Sequence, residues 1–133
     1  MQPGRVVTQS PERRWDFIFA SHPDHLAAGE AAVCAVYPDA RNPFAHPELL
    51  ADEGLEPWTV NELWIMSGQD PNIAVETTQT IERKVAALMC HESQMPDPTG
   101  TKERITAGAR LAAETAGLPE GASAELFRVT RIP

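Results

Sequence analysis

Short β-branched runs alternate with helix-length segments along the 133 residues, and this alternation constrains the fold more than any other feature. A strand followed by a helix and another strand is the pattern of a layered α/β domain with at least part of its sheet parallel. Arg5 to Gln9 (RVVTQ) reads as a strand closed by Ser10 and Pro11, and Val60 to Met66 as a second strand with apolar residues on both faces, so it belongs inside a sheet. Ile73 to Glu76 and Ala124 to Ile132 read as further strands. Between them the helical spacing of Leu26, Gly29, Val33 and Val36 predicts a helix from Pro23 to Tyr37. A second helix is expected from Gln79 to Ser93 with Ile81, Val85, Leu88 and Met89 as its buried face, and a third from Lys102 to Ala116. Met95 to Gly100 reads as a break before that third helix.

The connections are uneven. Pro38 to Pro57 holds four of the twelve prolines and predicts a long excursion with one short helix around His46 to Ala51. Glu12 to Ser21 mixes charges with Trp15, Phe17 and Phe19 and has no clean period, which suggests a loop partly pinned by its aromatics. Trp64 and Trp58 are expected in the core, and Cys34 and Cys90 as small buried hydrophobes. Asn72 is expected to serve a turn.

A net charge of -8, with no clustered Lys or Arg, argues against a nucleic-acid surface. No apolar stretch approaches the length of a membrane span, and the start Met1-Gln2-Pro3-Gly4 does not open a signal peptide, so a cytoplasmic protein without membrane partners is expected.

One cluster carries pointed chemistry. Ser21-His22-Pro23-Asp24-His25 sets two imidazoles three positions apart at the mouth of a helix that follows a strand and loop. Residues at that spacing share a helix face, and helix N-termini in α/β sheets lie at the carboxyl ends of strands, where ligand sites gather. The backbone N-H groups there favour negative charge, and Asp24 can orient an imidazole. On spacing alone, a capping box of Ser21 and Asp24 with Pro23 in the first turn and two exposed histidines is the favoured reading. His46 and His91 fall on a Pro-rich loop and near a helix end, where surface or capping roles suffice.

The run SHPDHLAAGE, Ser21 to Glu30, closely resembles the second motif of the LmbE/PIG-L family of zinc-dependent N-deacetylases. AVYPDARNPFAHPELL (Ala35 to Leu50), LEPWTVNELWIM (Leu55 to Met66) and ETTQTIERKVAALMCHESQ (Glu76 to Gln94) are similar to bacterial members in content and order. The resemblance implies removal of an N-acetyl group from a glucosamine-type sugar by a Rossmann-like domain holding one zinc. It makes His25 the zinc ligand, His22 the acid or oxyanion stabiliser, Asp24 the residue that tunes His22, and Gln94 a substrate contact. From position alone, Gln94 is a polar helix terminator.

The family's first motif, of the A-H-P-D-D-E type, supplies the other zinc ligands and the general base, and it does not occur in this sequence. At Ala20, some mycothiol-pathway relatives carry a tyrosine. Residues 1–133 are therefore expected to be a single partial domain, the C-terminal part of a Rossmann-like α/β fold whose mostly parallel sheet is flanked by helices. The expected partners are a small N-acetylated sugar and either like copies in a homo-oligomer or a missing N-terminal half. A catalytically dead sugar-binding or oligomerisation remnant of the same fold is the alternative.

Overall fold

The computed structural model describes residues 1–133 as a mixed α/β chain whose four-stranded sheet, ordered β1-β2-β4-β3, is flanked by helices. The strands are β1 (Arg5–Gln9), β2 (Glu62–Met66), β3 (Ile73–Glu76) and β4 (Ala124–Arg131). The helices are α1 (Pro23–Val36), α2 (Pro47–Glu53), α3 (Ile81–Met89) and α4 (Pro98–Thr115). The chain forms two compact units, Met1–Asn72 with Phe127–Pro133, and Ile73–Leu126. No helix is long and apolar enough to cross a membrane.

In the first unit β1 and β2 pair in parallel, with Arg5 opposite Glu62 and Gln9 opposite Met66, and α1 is the crossover between them. The sheet is mixed rather than mostly parallel as expected, because β4 runs antiparallel to β2. Val6, Leu63 and Ile65 on one face meet Val33 and Val36 of α1 together with Val60 and Trp58, which forms the unit's core. Trp58 also donates its indole N-H to the Pro3 carbonyl at 2.8 Å. On the other face Trp64 meets Phe127 edge to face at 5.2 Å, and the Arg5 guanidinium lies 4.2 Å above the Trp64 ring.

The helix packs closely on the strand it follows. A Cβ at Gly29 would stand 2.6 Å from the Gln9 carbonyl oxygen and 2.7 Å from the Pro11 nitrogen, backbone atoms that cannot swing aside. The Pro-rich excursion contains α2, which ends at Gly54 in the left-handed region, φ 67°, with the N-H groups of Gly54 and Leu55 returning to Leu50 and Leu49. Asn72 does more than turn the chain. Its amide donates to the Val129 carbonyl at 2.9 Å and accepts from the Val129 N-H at 2.7 Å, so its side chain stands in for a strand partner.

In the second unit α3 and α4 pack together, and Ala113, Ala122 and Ala124 form a small-residue core with Ala112 and Leu118. Helix α4 begins at Pro98, inside the expected break, because the Asp97 side chain accepts from the Gly100 N-H at 3.0 Å and Pro98 occupies the first turn. Cys34 and Cys90 are both exposed, contrary to expectation. The stretch around Cys34 is apolar on every side, so its periodicity does not say which face is covered.

Two outcomes follow from this packing. Gly29→Ala should destabilise the fold by about 1–3 kcal/mol or more, whereas Gly108→Ala in α4, where a Cβ meets open space, should stabilise it by about 0.5–1 kcal/mol. Denaturant unfolding of the two variants checks both signs. The Glu62 carboxyl is held below the usual range first by the Trp64 indole N-H and then by Arg5. A carboxyl lowered in the folded state adds stability above its unfolded pKa and loses it as pH falls through the folded one. Amide protection in β1 should therefore fall on acidification, and Glu62→Gln should flatten that dependence.

Candidate active site

The polypeptide leaves the carboxyl end of β1 at Gln9, crosses a loop, and enters α1 at Pro23. A single-turn 3-10 segment, Ile18–Ala20, precedes the helix. Ser21 is buried, and its hydroxyl accepts the Arg14 N-H at 2.7 Å. It is therefore not the cap of α1. The cap is His22, whose Nδ1 accepts the Asp24 N-H at 3.2 Å. The S-x-x-D pattern allows a cap at Ser21, but the hydroxyl is committed to Arg14 and the cap moves one residue on.

This cap fixes a tautomer. Nδ1 of His22 can accept the hydrogen bond from the Asp24 backbone N-H only if it carries no hydrogen itself, so the neutral ring holds its hydrogen on Nε2, the edge turned away from the helix. The Asp24 carboxylate lies 3.7 Å from Nδ1 and would pair with it if the ring were charged. The His22 and His25 ring centroids are 5.7 Å apart and tilted by 53°. His22, Asp24 and His25 are all exposed at the first turn of α1. The structure thus brings together three of the four residues singled out from sequence.

Gln94 belongs to the second unit, at the end of a 3-10 turn, Glu92–Gln94, where its N-H donates to the His91 carbonyl. His46 precedes α2 with Nδ1 3.3 Å from a Glu48 oxygen, a local surface pair. Desolvation and the neighbouring Glu30 carboxylate raise the Cys34 pKa, which disfavours a free thiolate there. No three His, Cys, Asp or Glu side chains gather as a metal-binding group. A catalytic zinc takes about three protein ligands, so the donors of this chain alone do not fit a closed zinc site. A depression of about 320 Å³ lies among Pro11, Glu12, Ile65, Gly68, Asp70 and Arg128, and neither histidine of the pair lines it.

No family profile matches the chain. A curated relative, the diacetylchitobiose deacetylase of Thermococcus kodakarensis, is 31% identical over 96 residues, 72% of this chain and 34% of the relative. The crystallised N,N'-diacetylchitobiose deacetylase of Pyrococcus horikoshii superposes with a TM-score of 0.78 at 28% identity, over 98% of this chain and 46% of that one. The chain is similar to diacetylchitobiose deacetylases in both sequence and fold. The conserved protein TT1542 of Thermus thermophilus follows with a TM-score of 0.68, also at 28% identity, over 98% of this chain and 55% of that one. The chain spans about a third of the curated relative and about half of each solved structure. The likeness agrees with the deacetylase resemblance carried by Ser21 to Glu30.

Sequence reasoning misplaced one group in this region. Trp15, Phe17 and Phe19 do not pin the loop, because all three side chains are exposed, and the Arg14 to Ser21 bond holds it instead. The signal was their interleaving with Arg13, Arg14 and Asp16, which leaves the segment no apolar side to bury.

The two roles of His22 can be separated. His22→Ala should cost about 1 kcal/mol through loss of the cap, and His22→Ser should restore most of it without restoring an imidazole. Thermal melts of both variants check this.

Proposed function

We propose that the chain is part of a zinc-dependent de-N-acetylase that hydrolyses the N-acetyl amide of a glucosamine-type sugar. The observation that carries the reading is the His22, Asp24 and His25 cluster, set after the carboxyl end of a parallel strand in a chain similar to diacetylchitobiose deacetylases. In this reading residues 1–133 are the C-terminal part of a Rossmann-like domain. His25 is the one zinc ligand the chain offers, and Gln94 contacts substrate. The protein acts in the cytoplasm, in a homo-oligomer or with the missing N-terminal half.

The chemistry available to the chain's own residues is proton donation and charge stabilisation. Hydrolysis of an amide builds negative charge on the carbonyl oxygen and requires a proton for the departing amine. In the neutral ring, Nε2-H of His22 points away from the helix and can hydrogen-bond to the carbonyl oxygen, whereas giving a proton to the amine requires the doubly protonated ring; the N-H groups of the first turn of α1 add a positive potential. If the ring gains a second proton, Nδ1 loses its lone pair and the Asp24 carboxylate at 3.7 Å becomes its acceptor. That no metal-binding group gathers around His25 favours a second reading for the isolated 133 residues, a catalytically silent sugar-binding remnant.

The two readings part on measurement. The isolated chain should retain less than stoichiometric zinc after dialysis and release no acetate from N,N'-diacetylchitobiose. Full zinc retention against a mild chelator would mean that the ligand shell closes within these residues. In a polypeptide with the complete ligand set, His25→Ala should lose metal and activity together. His22→Ala should keep the metal and lower kcat by about 10²–10⁴-fold. Equal metal loss in both variants would reverse the assignment.

A further inference from the structure

We propose that the loop Trp15–Phe19 is a sugar platform, on which the outward aromatic rings stack against the apolar face of a pyranose while Arg13 and Asp16 reach its hydroxyls. The inference rests on the sugar reading above and assigns residues that reading does not use.

The loop is built inside out. Its polar anchors are interior: Ser21 is 3% exposed and bonded to the Arg14 N-H, and the Arg14 Nε is buried without a partner. Its rings face water, with Trp15 81%, Phe17 54% and Phe19 86% exposed. A slack loop would fold such rings inward, but this one is held by backbone bonds from Ala20 to Phe17 (3.1 Å) and from Ser21 to Ile18 (2.9 Å). The Arg14 guanidinium is also tied to Asp16 at 2.8 Å. Phe17 and Phe19 stand 6.1 Å apart with a 54° tilt, and the Arg13 guanidinium lies 5.8 Å from the Trp15 ring centre. Aromatic faces with a few polar groups beside them are the makeup of small-molecule sites, and an exposed apolar patch of this kind marks a binding surface.

Size and charge select the occupant. Three largely exposed rings present on the order of 400 Å², about half of the roughly 800 Å² per partner that a stable protein interface takes. One or two sugar rings match that area. An anionic membrane is disfavoured by the chain's net charge of -8, whereas a neutral sugar is indifferent to it. Phe19 stands three residues before His22, so a disaccharide whose N-acetylated ring meets the histidines would extend its second ring toward the loop.

Ligand-observed NMR titration of the 133-residue chain tests this with N,N'-diacetylchitobiose as the probe and cellobiose as the non-acetylated control. Saturable binding of both sugars is expected. Trp15→Ala and Phe19→Ala should each weaken it by roughly tenfold, the loss of one aromatic contact, while Trp15→Phe retains most of it. The variants replace exposed side chains, and circular dichroism should match the unsubstituted chain. No saturable binding, or equal affinity in the alanine variants, would overturn the proposal. So would alanine variants that dissociate an oligomer in sedimentation without changing sugar affinity, which would give the patch to a second copy. Sugar binding that depends on Trp15, with no acetate release even from a polypeptide carrying the full ligand set, would sustain the platform and defeat the deacetylase reading alone.

Discussion

The close approach of α1 to β1 at Gly29 sets the position of everything chemical in the first unit. With no side chain at residue 29, the helix settles directly on the backbone of Gln9, Ser10 and Pro11 where the strand ends. Four and seven residues further on, Val33 and Val36 hold the same helix in the core with Val60 and Leu63. Two contacts on one rigid rod fix its direction. The first turn lies roughly 5–9 Å before the glycine contact at 1.5 Å per residue, so the side chains of its outer face reach solvent. Exposure of His22, Asp24 and His25 follows from where the helix is gripped.

At that free end a histidine does what Ser, Thr, Asp or Asn usually does. An imidazole cap satisfies one orphan N-H of the helix as a hydroxyl would, but it spends Nδ1 in doing so and leaves Nε2 as the outward donor. A hydroxyl cap can rotate, whereas the ring is planar and the bond to Asp24 also orients it. Local folding and side-chain chemistry therefore share one atom.

Most of the elements were legible in the sequence because they depend on local pattern. The bounds of β1 and β3 match the β-branched runs, and α1 and α3 follow from apolar spacing and terminal signals. What was not legible depends on distant partners. Ser21 fits a cap by pattern and is diverted by the Arg14 N-H seven residues earlier. Asp97-Pro98 reads as a break and is instead the start of α4, since a proline that cannot continue a helix can still open one. No periodicity encodes the direction of a strand, so the antiparallel setting of β4 could not be read. The candidate site divides the same way: the His22 and His25 pairing follows from i, i+3 spacing, while the outward rings of Trp15, Phe17 and Phe19 depend on how the loop is anchored.

The sheet face away from α1 shows how firmly β1 is held. Parallel sheets are ordinarily covered on both faces, yet here Val7 is half-exposed, and the cover near it is a side-chain network. One Glu62 oxygen accepts the Arg5 Nε-H at 2.8 Å and the Trp64 indole N-H at 3.0 Å, while the guanidinium spreads over the Trp64 ring. The network shields an indole with charged groups that remain hydrated, so it adds cohesion at little desolvation cost but also little of the stability that apolar burial gives. β1 is therefore joined by one five-residue ladder, this network, the seat of α1 and the packing of Val6 in the core on its other face. Opening free energies within a fold follow such local contact density. Because the loop through Trp15 and the histidine turn hang from the carboxyl end of β1, their order cannot outlast that strand's pairing.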